Sequence, residues 1–203
     1  MPHPDELTRK ELNQFLEVQR NHIIDLQICI SNIKFIIAKN QLESVTVSLM
    51  EGFIGHYISL AYSYCAITIF KLFAEKEKRS FLKLFNKLEN FKLSTELLVR
   101  FEKNETEGAS ETITFTKEDI IKMVSELRLM IEEIKPKIDL IFDRRNTFYA
   151  HGDSDKKIKP EKLLDIDEIN ITAQVLFNKI NVMFKHSTVL FENSGWSIDV
   201  IFN

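Results

Sequence analysis

The sequence predicts an all-α fold: a bundle of five or six helices with a small C-terminal β-hairpin. Three observations carry that expectation. Long stretches place apolar residues at steps of three and four, the period of one helical face. Glycine and proline are scarce, 5 and 4 in 203 residues, which disfavours a turn-rich β fold. Phenylalanine is abundant, 16 against a single tryptophan, enough for a phenylalanine-heavy core. The length suits one substantial core and is short for two, so residues 1–203 are expected to form a single helical domain.

Residues 6–39 read as a long first helix. Leu12, Phe15, Leu16, Gln19, Ile23, Leu26, Ile30, Ile33 and Ile37 form its stripe, with His22 at the core edge. Residues 41–74 read as a second helix that has no Asp, Glu, Lys or Arg from Gly52 to Phe70. That run is long enough to suggest a membrane span. His56, Tyr57, Tyr62, Tyr64, Ser59, Ser63 and Thr68 within it argue instead for the central helix of a soluble bundle, apolar nearly all round. Its tyrosine hydroxyls then need partners inside the fold. Gly52 and Gly55 would permit close approach by a neighbouring helix.

Beyond a charged connection at 75–79, Ser80 is placed to cap a third helix whose inner side is Phe81, Leu82, Leu84, Phe85 and Leu88. Ser94 or Thr95 opens a short fourth helix to about Phe101, and the polar stretch 103–115 reads as a mobile loop. Thr116-Lys-Glu-Asp119 resembles a capping box and starts the next helix. Pro136 is expected to kink or split that helix, which continues to about Ala150 before Gly152. Pro160 opens a last helix over 161–186, carrying Leu164, Ile166, Ile169, Ala173, Leu176, Phe177, Ile180, Met183 and Phe184. Residues 188–202 read as two short strands around a turn, a hairpin that must dock on the bundle or across a subunit interface.

A net charge of −3 argues against a protein that coats nucleic acid by bulk electrostatics, and leaves room for a local basic patch. Cys29 and Cys65 sit in apolar helical patterns and read as buried free thiols. The acidic N-terminus has no apolar run of the signal-peptide kind. A reduced, cytoplasmic protein with no membrane association is expected. The five histidines are scattered, and no glycine-rich phosphate loop is present, so neither a metal nor a cofactor is expected. The pairs Glu132/Glu133 and Asp165/Asp167 read as solvated helix faces.

The stretch 143–153, Asp-Arg-Arg-Asn-Thr-Phe-Tyr-Ala-His-Gly-Asp, puts polar chemistry where a helix is ending. The macrodipole favours cations there, and that alone would account for Arg144, Arg145 and His151. The same residues suit chemistry. Arginine keeps its proton and presents a planar fork that matches phosphate, while imidazole titrates near neutral pH. On an ideal helix, residues six apart lie about 120° from eclipsed and about 9 Å apart along the axis. A single Arg145/His151 pair is therefore loose, and two copies about a two-fold axis would gather four groups in one cleft.

Arg145, Asn146 and His151, with five residues between the Arg and the His, resemble the motif of the HEPN superfamily (higher eukaryotes and prokaryotes nucleotide-binding domains). That motif is an Arg with a polar follower and a nearby His, late in a helix of an all-α bundle. Ala150 and Asp153 are similar to residues flanking the His in the bacterial abortive-infection branch. The stretch Leu60 to Leu88 is similar to a long helix and a serine-capped short helix of that branch. The two stretches cover about a fifth of the chain. Arg144 offers a second register; Arg145 is preferred because Asn146 follows it.

The resemblance implies a metal-independent endoribonuclease with a composite Arg/His site at a homodimer interface, as in a toxin or phage-defence effector held by an antitoxin or regulatory protein. In that reading His151 is the acid or base and Arg145 stabilises charge on the phosphate. Asn146 orients substrate or His151, Asp153 fixes the imidazole tautomer, and Tyr149 stacks on a base or packs. Lys156 and Lys157, with Lys159 and Lys162, form a basic rim for RNA. The alternative is a non-catalytic HEPN-like dimer that binds RNA, a nucleotide or a protein. A third reading is a helical scaffold in which the cluster merely ends a helix.

Overall fold

The computed structural model describes residues 6–42, 51–103, 110–149 and 162–191. Helix dominates them, as the sequence predicts. The α-helices are α1 (Arg9–Leu42), α2 (Glu51–Phe73), α3 (Phe81–Asn90), α4 (Lys117–Arg144) and α5 (Leu163–Lys185). Four short strands accompany them: β1 (Glu6–Leu7), β2 (Lys92–Leu93), β3 (Val99–Lys103) and β4 (Ser110–Thr114).

Helix α1 packs on α2 and α5, and α4 packs on α2, α3 and α5. The α1 stripe enters the core as its spacing predicts: Leu12, Phe15, Ile23, Leu26, Ile30 and Ile33 are fully buried, and Ile37 emerges at the far end. Phe73, Phe81, Phe85, Phe177 and Phe184 supply much of the remaining volume. Two start signals act as expected. The Ser80 hydroxyl accepts from Lys83 N at 3.2 Å and caps α3. Thr116 and Asp119 form a reciprocal capping box at the start of α4. At the other end of α3, Lys117 Nζ donates to the carbonyls of Leu88 (2.6 Å) and Phe91 (2.8 Å), acceptors that the helix itself leaves open.

Several expectations give way. The short helix expected to reach Phe101 is a single 3-10 turn, Thr95–Leu97, followed by β3. Strands β3 and β4 pair antiparallel, Val99 against Thr114 through Lys103 against Ser110, where a loop is expected. Phe115 N adds a bond to Leu98 O at 2.8 Å beyond the last pair. Cross-strand pairing overrides the helical start signal of Ser94, because it satisfies a whole row of backbone groups at once. Residues 104–109 lie outside the described part. Strand β1 pairs parallel with β2, Glu6 against Lys92 and Leu7 against Leu93. Next to it Arg9 donates to the carbonyls of Phe184 (2.8 Å), Val99 (3.0 Å) and Glu96.

Pro136 does not split its helix: α4 is continuous from Lys117 to Arg144. Pro136 and Glu132 lie on the exposed side, where water can take up the carbonyl that proline leaves without a donor. Leu164, placed on the apolar period of the last helix, is 71% exposed. Residues 188–191 of the expected hairpin belong to no strand, and residues 192–203 lie outside the described part. The Asn178 side chain takes the place of a strand partner. Its amide donates to Val189 O at 3.1 Å, and its carbonyl accepts from Val189 N at 2.8 Å. Phe191 meets Phe177 edge-on at 5.5 Å, so this segment docks on α5.

Helix α2 departs most from expectation. One side is core, with Cys65, Ala66, Ile69, Leu72 and Phe73 buried. The opposite side exposes Phe53 (68%), Leu60 (56%), Tyr64 (44%) and Ile67 (36%). It is therefore an outer helix with an uncovered apolar stripe, not the centre of the bundle. Lack of charge is not the same as burial on all sides; α1 and α4 cover one flank each and nothing described covers the third. Among the described residues nothing lies within 4 Å of where a side chain at Gly52 or Gly55 would begin, so neither glycine marks close helix contact. Tyrosine partners are present as expected: Asn32 Nδ2 donates to the Tyr57 hydroxyl at 3.3 Å, and Tyr64 donates to Asp25 at 2.9 Å. Among the described residues, one stretch, Gly52–Phe73, has the length and mean hydropathy (1.3) of a membrane span.

Candidate functional site

The stretch singled out in the sequence begins at the tip of α4. Regular α-helix ends at Arg144, and the Arg145 N–H still donates to the carbonyls of Ile141 and Phe142. Residues Arg145–Tyr149 then form a π-turn. Such a turn takes one more residue into each hydrogen-bonded ring than an α-turn does. Asn146 and Thr147 are weak helix formers whose side chains compete for backbone partners. The angular estimate for residues six apart assumed α spacing, so it does not carry over to this tip.

The Arg145 guanidinium lies over the ring of Phe70 from α2, 4.3 Å from the centroid. Its Nη1 donates to Asn146 Oδ1 at 2.9 Å. The structure thus brings together the arginine and its polar follower. Arg145 is half-buried and Asn146 is exposed. Phe70 is buried, and Phe142 of α4 meets it at 4.9 Å with the rings tilted by 58°. Lys76 Nζ stands 5.1 Å from the same ring. The negative faces of the ring attract both cations. The C-terminal turns of α2 and α4 lie nearby and favour positive charge as well.

Phe70 and Lys76 are the site residues that sequence reasoning missed. Phe70 read as core, and Lys76 as part of a solvated connection. Local spacing carries no sign that Arg145 and Lys76 share the Phe70 ring, because the packing of α2 on α4 brings Arg145 to it. Arg144 is half-buried beside Arg145, and Tyr149 closes the π-turn. His151, Asp153, Lys156 and Lys157 lie outside the described residues, as do Ala150 and Lys159. Lys162 is exposed at the N-cap of α5.

The described part of the site offers a permanently charged donor fork, an exposed amide and a second cation. That set can bind a phosphate and offset charge on it. Proton transfer needs a further group, which the sequence provides in His151. Among the described residues no three His, Cys, Asp or Glu side chains are grouped to hold a metal ion. An open groove between α4 and α5, lined by Met123, Val175, Val182 and Met183, also holds Glu126, Asn178 and Lys179, but there the amide is bound to Val189 and the lysine is paired with Glu126 at 4.0 Å. Compared with protein-family models, curated proteins and solved structures, the chain matches none.

Proposed function

We propose that this protein is a HEPN-like, metal-independent endoribonuclease of the cytoplasm, acting as a homodimer with a composite Arg/His site. The observation that carries the reading is Arg145, set on Phe70 at 4.3 Å and tied to Asn146 at 2.9 Å. A half-buried guanidinium fixed by an aromatic ring is oriented before substrate arrives, which is what transition-state stabilisation needs.

In this mechanism His151 of one copy takes the proton from a ribose 2′-hydroxyl. The 2′-oxygen attacks phosphorus, and Arg145 offsets the charge building on the non-bridging oxygens. His151 of the second copy protonates the departing 5′-oxygen. The products are a 2′,3′-cyclic phosphate and a 5′-hydroxyl. Asn146 helps hold the phosphate, Asp153 fixes the imidazole tautomer, Tyr149 stacks on a base, and Lys156 and Lys157 line the RNA path. A toxin or phage-defence role with a neutralising protein partner goes with this reading. The uncovered apolar stripe of α2, on the helix that carries Phe70, supports a second copy as its cover.

The hinge residues of the mechanism give the test. Purified protein is incubated with cellular RNA in the presence of a chelator, beside His151→Ala and Arg145→Ala. Chelator-resistant cleavage lost in both variants is the expected result. RNA binding without cleavage would favour the non-catalytic dimer instead. Failure to bind RNA, together with reduced stability of both variants, would reduce the cluster to a helix end.

A further inference from the structure

Lys76 belongs to a pinned stretch of chain. The connection between α2 and α3 holds Glu75, Lys76, Glu77, Lys78 and Arg79, and its flanks at Ala74 and Ser80 are buried. Ala74 N donates to Phe70 O at 2.8 Å and Glu77 N to Ala74 O at 3.1 Å, which makes a tight turn straight off the helix. From α1, Gln19 Nε2 donates to Arg79 O at 3.1 Å. The charged side chains then part company. Arg79 turns to α1, stacked 4.6 Å from the Phe15 centroid and donating to Gln14 Oε1 at 2.8 Å. Glu75 turns to α3, where its carboxylate accepts from Asn86 at 3.5 Å. Lys76 turns to Phe70, with Nζ 5.1 Å from the centroid that the Arg145 guanidinium approaches to 4.3 Å.

Two like charges on one ring repel. Each stands within 5.1 Å of the same point, so they lie inside one Debye length, about 10 Å at 0.1 M salt. Their described partners are neutral: the ring for both, and the Asn146 amide for Arg145. The ring and the nearby helix ends attract each cation and cancel neither charge. An anion set beside the two would do so. Lys76 and Asn146 are exposed and Arg145 is half-buried, so the place is open to solvent.

We propose that Lys76 is a second phosphate-binding residue of this site, one that holds the RNA backbone beside Arg145. The proposal rests on the reading of the Arg145 cluster as a site for RNA. The two cations divide the work. Arg145 offers a planar fork, already oriented, suited to the phosphate that reacts. Lys76 offers a compact, hydrated charge on a flexible stem. Such a charge attracts the chain equally before and during the reaction, so it lowers KM and leaves kcat alone. It also releases one more counterion from the RNA.

The test is fluorescence anisotropy of a labelled 2′-O-methyl oligouridylate, titrated with the intact protein over a series of potassium chloride concentrations. This probe keeps every phosphate and has no free 2′-hydroxyl to attack. Lys76→Ala is expected to weaken binding several-fold. It should also make the plot of log affinity against log salt shallower by about 0.7, the value of one phosphate contact on a single strand. Lys76→Arg should restore both, and Lys78→Ala, at a neighbouring exposed lysine, should alter neither. On a cleavable RNA of the same sequence, Lys76→Ala should raise KM and keep kcat. Unchanged affinity and slope in Lys76→Ala would overturn the proposal; a lowered thermal midpoint alongside them would mark a residue that serves only the end of α2. An equal effect of Lys78→Ala, a fall in kcat at constant KM, or a parent protein that does not bind the probe would overturn it as well. The ribonuclease reading fails separately. The expected binding results without cleavage would keep Lys76 as a phosphate ligand and remove the enzyme. Chelator-resistant cleavage with Lys76→Ala equal to the parent would do the reverse.

Discussion

Arg145 carries two roles that substitution can separate. Its contact with Phe70 contributes roughly 0.5–1 kcal/mol at a partly exposed position. Arg145→Ala should lower unfolding free energy by about that much in urea titration. Arg145→Lys keeps the charge and loses the planar fork, so it should retain most of the stability and little of any phosphate-dependent activity. A Lys variant as active as the parent would remove the fork from the mechanism. His22 illustrates a residue whose effect is set by burial. Burial holds its pKa below the ordinary value, Lys71 acts in the same direction, and Asp25 and Glu77 oppose them. Protons then bind the unfolded chain more tightly than the folded one. The stabilising contribution is complete above about pH 6.5 and is lost as pH falls through that value towards the lower folded pKa. The thermal midpoint should decline over this window, and His22→Gln should flatten the decline.

Among elements, the legible ones are those whose signals are local. Ser80 and the Thr116/Asp119 pair cap their helices because all partners lie within three residues. Ser80→Ala should cost about 1 kcal/mol of unfolding free energy. The hydroxyl is buried, and Ser80→Asp, which can also cap, should recover part of that loss in the same measurement. The β3–β4 pair was not legible, since its energy comes from cross-strand bonds between segments that look polar and irregular one at a time. The same holds for β1 on β2, where two residues near the start meet two in the middle of the chain. At the candidate site, Arg145 and Asn146 were legible from their spacing and company. Phe70 and Lys76 were not, because only the crossing of α2 and α4 places them there. The π-turn was hidden too: helical periodicity continues through 145–149 and carries no mark of one extra residue per turn.

For the whole molecule, the exposed side of α2 is the feature most in need of a partner. Phe53, Leu60, Tyr64 and Ile67 recur at helical spacing on one face. The homodimer reading predicts a dimer by sedimentation velocity, and Leu60→Glu should shift it to monomer without loss of helix signal. A glutamate there costs little in the monomer, because Leu60 is 56% exposed. A variant that sediments like its parent would take the stripe out of the interface.

The tie made by Arg9 has a consequence for how the protein comes off the ribosome. The residue sits in the first turn of α1, and one of its partners, Phe184 O, is 175 positions further on. Translation at roughly 5–20 residues per second puts on the order of ten to thirty seconds between the two. During that interval α1 can form as a helix, but the acceptors that anchor its start arrive in stages, those at 96 and 99 first and Phe184 last. The start of α1 is thus among the last parts to be fastened, and the flank of the helix that packs on α5 stays available to chaperones until α5 has been made.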